Sequence, residues 1–159
     1  MTAPVPTALR LLRTRALVRA PILAYRCGLG AVFGSRLLLL EHTGRVSGEP
    51  RYVVLEVTAR PDPGRYLVVS GFGERAQWFR NIVSTPEVRV SVGRRRSVPA
   101  RAVRLPQDRA RELFERYPVD HPRAWARLEP AIRAACDLPS PAPLAPHVPV
   151  VEITLHAGG

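Results

Sequence analysis

The stretch LLLLEHTGRVSGEPRYVVLEVT, residues 37–58, decides the fold. Leu37 to His42 is a continuous apolar run that ends in polar residues. Arg51 to Thr58 alternates, with Val53, Leu55 and Val57 on one face. Between them, Thr43 to Glu49 holds two glycines and reads as a turn. A short apolar run and an alternating segment on either side of a short turn predict an antiparallel hairpin and not a helix.

The pattern continues downstream. Pro61-Asp62-Pro63-Gly64 is a turn signal, because Pro presets φ and Gly accepts positive φ. Tyr66 to Ser70 predicts a third strand, which Gly71-Phe72-Gly73 breaks. Gln77 to Val83 reads as a short helix that must stop before Pro86, since the residue ahead of a proline avoids helical geometry. Glu87 to Val92 alternates with Val88, Val90 and Val92 inward. Gly93 to Arg96 turns the chain, and Ser97 to Leu105 returns beside it. Ala110, Leu113, Phe114 and Tyr117 form one helical stripe; Trp125, Leu128 and Ile132 form another. Pro139, Pro141, Pro143, Pro146 and Pro149 predict an extended connector. Val150 to Leu155 is a last strand. About six mostly antiparallel strands with flanking helices make an α+β domain built on a small barrel.

Upstream the character changes. The first 40 residues carry Arg10, Arg13, Arg15, Arg19, Arg26 and Arg36 and no acid. Leu9, Leu12, Ala16, Leu17 and Ala20 recur at helical spacing. Residues 1–34 therefore read as a basic amphipathic helical segment ahead of a barrel domain at 35–159. Such a helix either lies on an anionic membrane surface or covers the barrel with solvated arginines. The apolar stretch Ala31 to Leu40 is interrupted by Arg36 and falls short of the roughly 20 residues a bilayer needs.

Composition narrows the function. Among 159 residues, 24 cations face 13 acids, a net charge of +11. Every cation is arginine. A G+C-rich genome explains arginine over lysine, but not the excess of cations, which favours an anionic partner. Aromatics are only 6% and arginines are spread along the chain, so nucleic acid is not expected. His42, His121, His147 and His156 lack metal-ligand spacing, and two cysteines make no cluster, so no metal is expected. There is no G-x-S-x-G elbow and no carboxylate pair with acid and base roles. An enzyme built on this chain needs a cofactor for its chemistry.

Two motifs remain. Thr43-Gly44-Arg45-Val46-Ser47-Gly48-Glu49-Pro50-Arg51 gathers two arginines, hydroxyls and glycines in one turn. It is either a phosphate grip, with guanidinium donors and close backbone approach, or a polar hairpin loop. Gly71-Phe72-Gly73-Glu74-Arg75-Ala76 matches a G-x-G-x-x-A pattern. The hairpin that follows it removes the parallel crossover a dinucleotide fold requires. Glycines ahead of a helix still expose N–H groups that suit a phosphate or a ring carbonyl.

The run Leu37 to Arg51 resembles the opening of the deazaflavin (coenzyme F-420)-dependent nitroreductase family of actinobacteria. So do Ser70-Gly71-Phe72-Gly73-Glu74-Arg75-Ala76-Gln77-Trp78-Phe79-Arg80-Asn81, Pro86-Glu87-Val88 and Val90-Ser91-Val92-Gly93. The resemblance implies a split β-barrel that binds F-420, whose phosphate-linked oligoglutamate tail suits an arginine-rich turn. It implies cofactor contacts at Thr43, Gly44, Arg45, Ser47, Gly48 and Arg51, and a ring lying along Ser70, Gly71, Phe72 and Gly73. It extends these to Gln77, Trp78 and Asn81. Tyr117 and Ser70 are the side-chain candidates for proton donor, with solvent as the alternative. The implied activity is hydride transfer to an activated alkene, quinone or nitroaromatic. The rival reading is a non-catalytic deazaflavin- or fatty-acyl-binding protein at the membrane. A cytoplasmic location is expected, peripheral to the inner membrane face if the N-terminal helix rests there, and a homodimer fits by analogy. The sequence departs from many relatives at Val46 and Gly71, where a second cation is common. Arg75 or the Arg94-Arg95-Arg96 run would have to substitute.

Overall fold

The structure is a computed structural model that describes residues 22–23 and 29–157. The expected helix at Leu9 to Ala20 lies outside the described residues. A 3-10 turn, Leu29–Phe33, leads into β1 (Leu37–Thr43) and β2 (Pro50–Ala59). These form the expected hairpin, pairing from Leu37↔Glu56 to Thr43↔Pro50. β3 (Arg65–Val69), the helix α1 (Gln77–Ser84), β4 (Glu87–Val92) and β5 (Arg95–Arg104) follow. The helices α2 (Gln107–Asp120) and α3 (Pro122–Cys136) precede β6 (Val150–Leu155).

The six strands close into a split β-barrel in the order β1-β2-β3-β6-β5-β4, with all pairs antiparallel. Closure depends on β6, which pairs with β3 on one side and β5 on the other. Alternation sets the inside. Leu38 and Leu40, Tyr66 and Val68, Val88, Val90 and Val92, Ala100 and Ala102, and Val151 and Ile153 fill one core. The amphipathic helix α1 plugs it by adding Trp78, Phe79 and Ile82. Its last turn yields to extended backbone at Thr85, just ahead of Pro86.

The outer face of β3 and β6 is covered. Leu67 and Val150 pack with Ala110, Ala145, Leu113 and Phe114. Leu144 and Val148, from the proline-rich connector, pack with Ile132, Trp125 and Leu128. Arg133 clamps that connector. Its Nη1 donates to the carbonyls of Pro139 (3.1 Å) and Ala142 (2.7 Å), while Nη2 pairs with Glu129 at 2.9 Å. The connector is thus an ordered strap, anchored by the buried Leu144, Ala145, Val148 and Pro149. Its prolines break no regular ladder, because its path is fixed by side-chain donors.

Candidate functional site

A groove of about 1010 Å³ opens where the β1–β2 turn meets α1 and the C-terminal end of α3. Gly44, Arg45, Ser47 and Arg51 wall one end. Phe72, Arg75, Gln77, Trp78 and Asn81 wall the middle, and Ala134, Ala135 and Asp137 the far side. The two sequence motifs therefore share one cavity.

The turn is closed on itself. Gly44 N–H donates to the Glu49 carbonyl at 2.8 Å, and Gly48 N–H to the Gly44 carbonyl at 2.7 Å. A Cβ on Gly44 would stand 2.7 Å from Ser47 Oγ and 3.3 Å from the Glu49 carbonyl oxygen, so only glycine fits the turn as built. Ser47 Oγ accepts from Glu49 N–H (3.3 Å) and lies 3.5 Å from Arg51 Nη2. Arg45 crosses to α1. Its Nη1 donates to Gln77 Oε1 (2.8 Å) and Asn81 Oδ1 (3.0 Å), and its backbone N–H to Asn81 Oδ1 (3.2 Å). Among the described residues no partner takes the hydrogens on Arg45 Nε and Nη2.

The second motif is held by its serine. Ser70 is fully buried and its Oγ donates to the Gly73 carbonyl at 2.7 Å. Gly73 sits at φ +67, and a Cβ there would press on Cys136 Sγ at 3.3 Å. The loop leaves Phe72 about half exposed on the groove wall. Arg75, exposed on the same wall, donates to the Ala135 carbonyl (2.9 Å) and pairs loosely with Asp137 (3.5 Å). Burial raises the Cys136 thiol pKa, the charge of Asp137 adds to the rise, and Arg75 opposes both.

Other expected site residues lie beside the groove. Thr43 and Gly48 line a smaller hollow with Glu41, His42 and Glu87. Gly73 lines a third, with Phe72, Arg75 and Cys136. Neither Ser70 nor Gly71 lines the groove, and Ser70 serves the loop from inside. Tyr117 lines a separate small hollow with Thr58, Val69 and Trp125. It packs on Trp125 and His121, with ring centroids 5.9 and 4.9 Å apart. Burial raises its pKa, and the charge of Glu56 adds to that. Glu56 pairs with Leu37, whereas the turn begins beyond Thr43, about 20 Å along the strand. Neither side-chain candidate for proton donor, Tyr117 or Ser70, lines the groove. The Arg94-Arg95-Arg96 run is equally remote, because Val92 pairs with Leu38 at that same far end. Of the two substitutes for the missing cations, Arg75 alone reaches the groove.

Sequence reading missed His42. It lines the groove, is 5% exposed, and lies 3.1 Å by Nδ1 from Asn81 Nδ2. Burial, then the charge of Arg51, lowers its pKa from 6.5 to about 4. The available signal was phase: Leu38, Leu40 and His42 share one face of β1.

The model of the F420H(2)-dependent quinone reductase family matches residues 23–127. The chain belongs to that family. It is an F420-dependent oxidoreductase, and its cofactor is the deazaflavin coenzyme F420. The chain is 36% identical over 86 residues to the "Putative F420H(2)-dependent quinone reductase Rv3178" of Mycobacterium tuberculosis, covering 52% of this chain and 69% of that one. Its fold is similar to that of Atu2129 from Agrobacterium tumefaciens, with a TM-score of 0.53 and 19% identity. That likeness covers 87% of this chain and 56% of the other. It is also similar to the F420-H2 dependent reductase FDR-A, with a TM-score of 0.50 and 21% identity over 74% of this chain and 93% of that one. The matching family carries the quinone-reductase description and not the nitroreductase label expected from the sequence.

The groove suits this cofactor on its own chemistry. One end presents arginine donors with unused hydrogens, which a phosphate or carboxylate takes. The middle is walled by Phe72 and Trp78, which suit a flat ring.

Proposed function

We propose that this protein reduces a quinone with hydride from F420H2, bound in the groove between the 43–51 turn and α1. The observation that carries the reading is the meeting of Arg45, Ser47 and Arg51 with Phe72, Gln77 and Trp78 along one cavity wall. Arg45 and Arg51 would hold the phosphate and its acidic tail, with Ser47 donating beside them. Gly44 keeps the turn narrow enough for backbone approach. Phe72 and Trp78 would bracket the ring. When bound, F420H2 supplies a hydride from ring carbon, in a two-electron step.

The chain's contribution is positioning and water exclusion. No acid–base side chain is asked to act. Ser70 spends its hydroxyl proton on the Gly73 carbonyl, and Tyr117 lines a separate hollow beside Trp125. The proton that completes quinone reduction is therefore assigned to solvent at the open side of the groove. The apolar wall of Phe72, Ala134 and Ala135 favours a flat apolar acceptor such as a quinone over a charged one.

Fluorescence titration with F420, followed by turnover with F420H2 against quinones, enones and nitroaromatics, tests this. Micromolar cofactor binding and a preference for quinones are expected. Absence of binding removes the reading; a preference for nitroaromatics or enones removes the quinone assignment alone.

A further inference from the structure

His42 interrupts an otherwise apolar row. Leu38 and Leu40, two and four residues before it on the same face of β1, are fully buried. An imidazole at the end of that row must have its polar atoms matched. The match is Asn81 of α1, itself 5% exposed.

The donor chemistry of this cluster has one solution. Two groups of Arg45, the backbone N–H and Nη1, both reach Asn81 Oδ1. Neither can accept a hydrogen bond. The carboxamide oxygen must therefore face Arg45, and the NH2 must face His42. That NH2 needs an acceptor, so Nδ1 of His42 carries a lone pair and the ring proton sits on Nε2. An imidazole protonated on Nδ1 would put two donors face to face. It would turn Asn81 over and set its NH2 against the guanidinium.

We propose that His42 is a positioning residue. By accepting from Asn81 it fixes the amide's orientation, which in turn holds Arg45 aimed into the groove before any ligand arrives. This rests on the groove being the cofactor site. The charged groups around His42 fit a neutral ring. Arg51 lies opposite it on β2, and Glu87 and Arg89 of β4 line the hollow behind it. Glu87 is already committed to Arg101 (2.6 Å) and His156 (3.2 Å). The benefit to binding is preorganisation: Arg45 gives up its rotamer freedom on folding instead of on cofactor capture.

Four measurements test it. Nitrogen NMR of the cofactor-free protein should show His42 with Nδ1 unprotonated and Nε2 protonated near neutral pH. His42→Leu should weaken F420 binding about tenfold, the scale of one buried polar interaction. It should leave almost unchanged the binding of the same deazaflavin lacking phosphate and glutamates. His42→Asn, whose Oδ1 falls near the Nδ1 position, should recover most of the loss. His42→Leu combined with Arg45→Ala should cost no more than Arg45→Ala alone, because both act on one contact. A proton on Nδ1 overturns the proposal. So does an equal loss for both ligands, failure of the asparagine rescue, or additivity of the pair. If the wild type binds neither ligand, the cofactor reading falls, and the ring-nitrogen measurement alone decides the His42–Asn81–Arg45 arrangement.

Discussion

Arg45 divides its guanidinium between the protein and the groove. Nη1 is spent on Gln77 and Asn81, and Nε and Nη2 of this groove-lining side chain take no partner among the described residues. Arg45→Ala should weaken F420 binding roughly ten- to a hundredfold, the range for a charge-assisted hydrogen bond. Arg45→Lys should recover only part of that, since an ammonium cannot serve α1 and a phosphate with one planar fork. Isothermal titration of the two variants checks both. His42 gives a second expectation at this scale. Its pKa is lowered from 6.5 to about 4 in the folded protein. The unfolded chain therefore takes up a proton first as pH falls. The stability tied to the neutral ring is complete above about pH 6.5 and is lost progressively toward about pH 4. Urea denaturation between pH 7.5 and 4.5 should show this loss, and His42→Asn should remove part of the slope. Arg45 and Ser47 were legible in the sequence because guanidinium, hydroxyl and glycine crowd one turn. His42 was not, because a histidine ending an apolar run reads equally as strand terminus or site. Only the arrival of Asn81 from 39 residues away distinguishes them.

At the scale of elements, α1 and the connector matter most. α1 buries Trp78, Phe79 and Ile82 in the barrel mouth and offers Gln77 and Asn81 to the groove, so one amphipathic helix both seals the core and fixes Arg45. Its length and register followed from the sequence, because Pro86 ends it and its apolar positions recur at helical spacing. The connector did not follow. Five prolines announce an extended path but say nothing about what it packs on. The strap is ordered by Arg133, only 15% exposed along its side chain, through two carbonyls and Glu129. Arg133→Ala leaves those groups unpaired and should cost about 2 kcal/mol. It should speed limited proteolysis within residues 138–149. Thermal melts and a proteinase K time course, with the cut sites mapped by mass spectrometry, measure both.

At the scale of the molecule, the alternation of β2 and β4 identified the inward faces, but closure of the barrel rests on β6, which follows the helices in sequence. No local signal tells a last strand to slot between β3 and β5; the tie is long-range. Deleting residues 150–157 should therefore abolish cooperative folding, since β3 and β5 lose their shared partner and the 0%-exposed Val150, Val151 and Ile153 leave the core. Circular dichroism should show loss of the melting transition. Of the site residues expected from the sequence, Arg45, Ser47, Arg51, Gln77, Trp78 and Asn81 share the groove, whereas Tyr117 lines a separate small hollow with Thr58 and Val69. The crystal structure of the complex with oxidised F420 tests the whole account most directly. The phosphate should lie within hydrogen-bond reach of Arg45, Ser47 or Arg51, with the ring against Phe72 and Trp78. A cofactor bound outside this groove, or with its phosphate on the Arg94–Arg96 hairpin, would contradict it.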